Sequence, residues 1–333
     1  MAAYTTIDDP EAYFQVKAYT GNNTTDTAIT LDGDNDLQPD FVWIKCRSSA
    51  NSSALFNSVV GDDYHLVSNT TAAQAGDGSY FKSFDSDGFT LGTGGQVNDS
   101  GDTYVAWCWK ESATSGFDIV SYTGNGTSDT DISHNLSAVP RMIIFKDRDT
   151  ASNWQTGHAS LGWTKTVYLN LTNASNTDTS YFNDTAPTSS VFTLGDNVMS
   201  NSDTKNYIAY CFAEKQGFSK FGSYTGNGNA DGAFVYTGFR PAYIMIRDTG
   251  NAENWFLFDN KRDGYNVNKV LLYANTITAD TTTGANQIDL LSNGFKCRST
   301  DNGTNRSGAT GFIYMAFAEA PFVNSNGVPC NAR

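Results

Sequence analysis

One block of sequence occurs three times in this chain, and that repetition constrains the fold more than any other feature. Tyr19-Thr20-Gly21-Asn22 returns as Tyr122-Thr123-Gly124-Asn125 and again as Tyr224-Thr225-Gly226-Asn227. Pro39-Asp40-Phe41-Val42-Trp43-Ile44-Lys45 is matched by 140–146 and 241–247. Asp87-Gly88-Phe89 is echoed by Asn293-Gly294-Phe295, with Ser190-Val191-Phe192 as a degenerate middle copy. Each block ends on an apolar run, at 104–111, 207–214 and 312–319. The four landmarks recur 101 to 105 residues apart. That period exceeds the roughly 20–50 residues of a solenoid repeat, so each block is expected to be a domain with its own core. The expected division is an N-terminal arm at 1–11, repeats at 12–112, 116–216 and 217–322, and a tail at 323–333.

Within a block the apolar segments are short and bounded by Gly, Asn, Asp and Pro, which are strand and turn signals. Of 35 acidic residues only five are Glu, the rest being turn-favouring Asp. The expected class is all-β, with three tandem β-sandwich (jelly-roll-like) repeats of about 100 residues. The closing runs alternate. Val105, Trp107 and Trp109 face one way, as do Ile208, Tyr210 and Phe212, then Ile313, Met315 and Phe317. The opposite face is apolar too, but mostly smaller, as in Ala106 and Cys108. A strand apolar on both faces is covered on both. The large face is expected to fill a sandwich core, and the small face to lie under a neighbouring repeat or another subunit.

Charge and cysteine content exclude several functions. The formal net charge is −14, and no Lys/Arg cluster offsets it, which excludes a nucleic-acid surface. No segment approaches the roughly 20 apolar residues of a membrane span, so no membrane partner is expected. The first ten residues lack both a basic and an apolar stretch, so synthesis without a secretory leader is expected. Five scattered cysteines without a CxxC pair argue against a disulfide framework or a zinc site, and no cofactor is expected.

Candidate chemistry is sparse. Lys45, Lys146 and Arg247 end the first strand motif of each block, and Glu111, Glu214 and Glu319 end the last. These in-phase opposite charges predict salt bridges pinning strand ends. No second carboxylate or histidine recurs with them, so a catalytic role is not expected. His65, His134 and His158 stand at non-equivalent places and are read as loop or turn residues. Asp32, Asp34 and Asp36 resemble the start of a calcium loop, but lack its closing Glu and any counterpart in the other blocks; the metal reading is weak and an acidic turn is preferred. Trp154 and Trp255 match in phase, and Trp163 stands alone in a polar stretch. All three are carbohydrate-contact candidates, with core packing the competing reading for the matched pair.

The motifs 39–45, 86–92 and 104–110 resemble a repeat found in virion structural and tail-fibre-type proteins of marine bacteriophages. The opening 4–15 and the ending 316–323 look like that family as well, so the resemblance covers nearly the whole chain. It implies a non-enzymatic virion protein made in the host cytoplasm. A tail fibre or adhesin touching the host surface is the first expectation, and a capsid decoration or head-fibre protein the second. A carbohydrate-active enzyme is a third reading from another class. The implied partners are other virion proteins, a host surface glycan and the chain itself, as a homo-oligomer, with a trimer expected by analogy with phage fibres.

Overall fold

The computed structural model describes residues 4–76, 78–282, 286–308 and 311–330. It is all-β and antiparallel, with helix limited to single turns such as Gly95–Asn98, Val198–Asn201 and Asn302–Asn305. Each third of the chain contributes one large and one small sheet. In the first large sheet the order is Phe14–Thr20, Thr103–Trp109, Phe41–Cys46, Ala54–Asn57, Gly61–Leu66, Ala75–Gly76. The second runs Phe117–Thr123, Asn206–Ala213, Pro140–Asp147, Gln155–His158, Lys165–Tyr168, Asn176–Thr177. The third runs Ser219–Tyr224, Phe312–Pro321, Phe239–Asp248, Trp255–Asp259, Leu272–Tyr273. In all three the closing strand lies between the opening strand and the strand that carries Lys45, Lys146 or Arg247. Pro140 opens its strand and Pro241 lies third in its own, both at register shifts where a missing N–H is tolerated.

The covering of the closing strand reverses the sequence expectation. Val105, Trp107, Trp109, Ile208, Tyr210, Phe212, Ile313, Met315 and Phe317 belong to one apolar cluster shared by all three thirds of the chain. Rings meet across it: Phe41 lies 4.4 Å from Tyr210, and Phe14 lies 5.0 Å from Phe317. The small face instead fills a separate core inside each third. Ala106 and Cys108 leave room there for Phe56, Phe81 and Phe89. Large residues are needed where three sheets converge and must fill the space between them; small ones suit a face onto which another sheet folds directly. Both faces of the closing strands are thus buried within one chain.

Backbone hydrogen bonds close the arrangement into a ring. Gln74 N–H donates to Arg148 O at 2.9 Å, Ser175 N–H to Thr249 O at 2.7 Å, and Asp280 N–H to Arg47 O at 2.7 Å. The first third thereby holds the second, the second the third, and the third the first. Side chains at matching positions repeat the circuit: Asn57 donates to Tyr210 Oη, His158 to Tyr314 O, and Asp259 accepts from Trp107 Nε1.

The Tyr-Thr-Gly-Asn segments end the opening strands and lead into turns on one rim. Tyr19 stacks on Tyr104 and donates to Val97 O; Tyr122 stacks on Tyr207 and Tyr224 on Phe312 in the same way. A Cβ on Gly21, Gly124 or Gly226 would stand 2.2 to 2.3 Å from a backbone oxygen, so only glycine fits. The degenerate middle copy has a visible consequence. Gly88, at φ +112, closes the tight hairpin between Phe81–Asp85 and Gly88–Leu91. Val191 stands in its place in the second third, and there the small sheet keeps two strands where the others have three.

Candidate functional site

The in-phase cations and glutamates lie on opposite rims. In the antiparallel register Lys45 pairs with Val105 while Phe41 pairs with Trp109, so Glu111, just beyond Trp109, emerges at the far end of the sheet from Lys45. Both motifs end at the C-terminal ends of antiparallel strands, and such ends cannot meet. The expected salt bridges between these six residues are therefore replaced by other partners. Lys45 donates to Asn51 O at 2.6 Å and across the seam to Thr276 O at 2.7 Å. Lys146 donates to Asp147 O at 2.7 Å, and Arg247 donates to the carbonyls of Glu253 and Asn173. Burial lowers the Lys45 and Lys146 ammonium groups to about 8.

On the other rim each glutamate lines a cleft, of about 340 Å³ at Glu111, 240 Å³ at Glu214 and 600 Å³ at Glu319. Their surroundings differ in charge. Glu111 faces Asp118 and Asp40; burial first, then a hydrogen bond and the charge of Asp118, push its carboxyl up to about 8. Asp40 accepts the Glu111 N–H at 2.8 Å, and Asp118 accepts the Asn135 N–H at 2.6 Å. Glu214 instead meets Lys220 at 2.7 Å, and Glu319 meets Arg240 at 2.8 Å and the Asn260 amide at 3.1 Å. Asp118 and Lys220 occupy one position: they pair with Cys211 and Ala316, as Gln15 does with Cys108. Sequence reasoning passed over Asp118 and Lys220 because the residue at this position differs between copies. The signal was their constant place, four residues before the motif tyrosine.

The cleft at Glu214 differs from the others in being lined by two tyrosines, whereas the one aromatic residue at the Glu111 cleft, Phe117, is buried. Tyr4 and Tyr236 flank the Glu214 cleft, their hydroxyls 3.1 Å apart, beside Gln216, Ser219, Lys220 and Thr237. Tyr236 and Phe234 project from the same face of Phe234–Tyr236 and are 52% and 49% exposed. The second carboxylate oxygen of Glu214 is buried without a hydrogen-bond partner.

The remaining sequence candidates fall elsewhere. Trp154 and Trp255 are buried in the shared core, and their indoles donate across the seams to Val67 O at 3.0 Å and Tyr168 O at 2.8 Å. They are seam fasteners, out of reach of a sugar. Trp163 is half-buried, its ring edge-on to Phe182 at 5.0 Å. Asp32 is held between Lys17 at 3.3 Å and Lys261 at 3.4 Å; Asp34 gives its N–H to Glu11, and Asp36 is exposed. Among the described residues no three His, Cys, Asp or Glu side chains converge as metal ligands. His65 and His158 lie in strands and not in loops, and all three histidines are buried. The five cysteines are free, four of them buried and Cys330 exposed. No helix among the described residues is long and apolar enough to cross a membrane.

Residues 9–321 match the family described as Domain of unknown function (DUF7483), and the chain belongs to that family. No curated protein and no solved structure matches it.

Proposed function

We propose that this member of the DUF7483 family is a non-enzymatic structural protein of a phage particle, made of three tandem jelly-roll-like β-sandwich repeats and acting as a tail-fibre-type adhesin on the host surface. The observation that supports it best is the ring with one shared core. Such a body is rigid at the centre and varies only at its rims, where the in-phase clefts carry different chemistry in each copy. That is the layout of a recognition scaffold, loops on a fixed frame. Its partners are other virion proteins and a host surface glycan, and its location is the virion. Gold-labelled antibody on intact particles tests the reading. Label at the tail tip is expected; label on the head moves the protein to the capsid-decoration alternative, and unlabelled particles overturn both. Light scattering tests the trimer, since a 36.1 kDa species at micromolar concentration would be the single chain.

One feature favours a second reading. A carboxyl raised to about 8 beside another carboxylate, as at Glu111 and Asp118, is how an acid catalyst is prepared. Yet Glu111 hydrogen-bonds Asp118 directly, whereas glycosidase carboxyls stand about 5 Å or more apart to admit the sugar. Reducing ends released from host polysaccharide, and lost in Glu111→Gln, would establish the enzyme.

A further inference from the structure

We propose that the cleft between Tyr4, Tyr236, Glu214 and Lys220 is a binding site for a neutral pyranose, with the exposed ring of Tyr236 as its stacking platform. The proposal deepens the adhesin reading by naming the site and the sugar class, and it rests on that reading. A pyranose presents an apolar C–H face and a rim of hydroxyls, so it needs a flat ring beneath and hydrogen-bonding groups beside it. Both are here. Tyr236 and Phe234 form a strip of half-exposed rings along one strand face, and Phe234 lies over Gly294, where a Cβ would approach its ring to 3.2 Å. At the end of that strip stand the Tyr4 and Tyr236 hydroxyls, Gln216, Thr237, and the Glu214–Lys220 pair.

The charge of the cleft sets the class. Lys220 engages one carboxylate oxygen of Glu214 and neutralises it, while the other oxygen is turned inward and buried. A neutralised pair beside the tyrosine hydroxyls, Gln216 and Thr237 suits a ligand that brings hydroxyls and no charge. An acidic sugar would meet the repulsion of a protein of net charge −14. The matching clefts lack the platform. Acidic groups dominate around Glu111, and the cleft at Glu319 is lined by Leu290, Leu291 and Asn293 with no aromatic residue.

The test is saturation-transfer NMR of the full chain with four methyl pyranosides, those of glucose, galactose, mannose and N-acetylglucosamine. Transfer to ring C–H protons of at least one sugar is expected. Binding should weaken roughly tenfold in Tyr236→Ala, the effect of losing one stacking contact. It should persist in Tyr236→Phe, which keeps the ring, and in Tyr64→Ala, which removes an exposed ring on the first third of the chain. Thermal unfolding of each variant is followed in the same buffer. If Tyr236→Ala does not fold, Phe234→Ala is the second truncation, and the same weakening is expected. Transfer that survives truncation of the strip, or no transfer from any of the four sugars, overturns the proposal. Particle labelling does not depend on these sugars, so the site and the adhesin reading can fail separately.

Discussion

At Asn98, Asn201 and Asn305 a single amide ties the repeated turn to the end of its helix. Asn98 accepts the Asn22 N–H at 3.0 Å and donates to Gly92 O at 2.7 Å and Thr24 O at 3.0 Å; Asn201 and Asn305 have equivalent bonds. Truncation leaves buried backbone groups unpaired, so Asn98→Ala should cost about 2 to 3 kcal/mol in urea unfolding. Asn98→Asp should cost at least as much, because it sets a carboxylate against two carbonyls. His158 gives a pH-dependent counterpart. Its Nε2–H donates to Tyr314 O and its Nδ1 accepts the Ser160 N–H, so a second proton would have to displace an N–H. Burial, with a smaller contribution from Arg141, lowers it to about 4. The unfolded chain takes up this proton near pH 6.5 and the folded one only near 4. Stability should therefore rise with pH across that window, by an amount on the order of 3 kcal/mol, and His158→Gln should flatten the rise. The turn was legible from its glycine and asparagine. The role of His158 was not, because its partner lies 156 positions away.

For whole strands, alternation in the closing runs correctly identified a central strand covered on both faces, and the repeated motifs located its neighbours. Which cover lies on which face was not legible. Periodicity gives the two faces of a strand but carries no information on what approaches them from distant sequence. The same limit explains the misplaced salt bridges, since matching phase along the chain says nothing about which end of an antiparallel pair a residue occupies. The degenerate middle copy was legible as an irregularity, and its cost can be measured. Amides of Thr130–Ser133 and Val191–Leu194, in the two-stranded sheet, should exchange faster than those of Thr27–Ile29 and Gly88–Leu91. Equal protection would show that the missing hairpin strand contributes nothing.

Across the whole molecule, a shared core predicts shared cooperativity. Three independent domains would melt in separate steps, but here each large sheet buries its face only against the other two. Calorimetry should show a single transition, and a fragment ending at residue 216 should be insoluble or molten, its two-thirds of the core left open on the side the last third covers. Three resolved transitions would contradict the ring.

The ring also imposes an order on biosynthesis. Trp107 and Trp109 leave the ribosome about 200 residues before Ile313, Met315 and Phe317, the side chains that finish their enclosure. At a translation rate of about 5–20 residues per second, that delay lasts on the order of tens of seconds. The nascent first and second thirds must spend it with a broad apolar face open to chaperones, or to the same face on a neighbouring nascent chain. Two chains on one polysome could then trade their last thirds, each completing the other's core, and yield an interlinked dimer built from wholly native contacts.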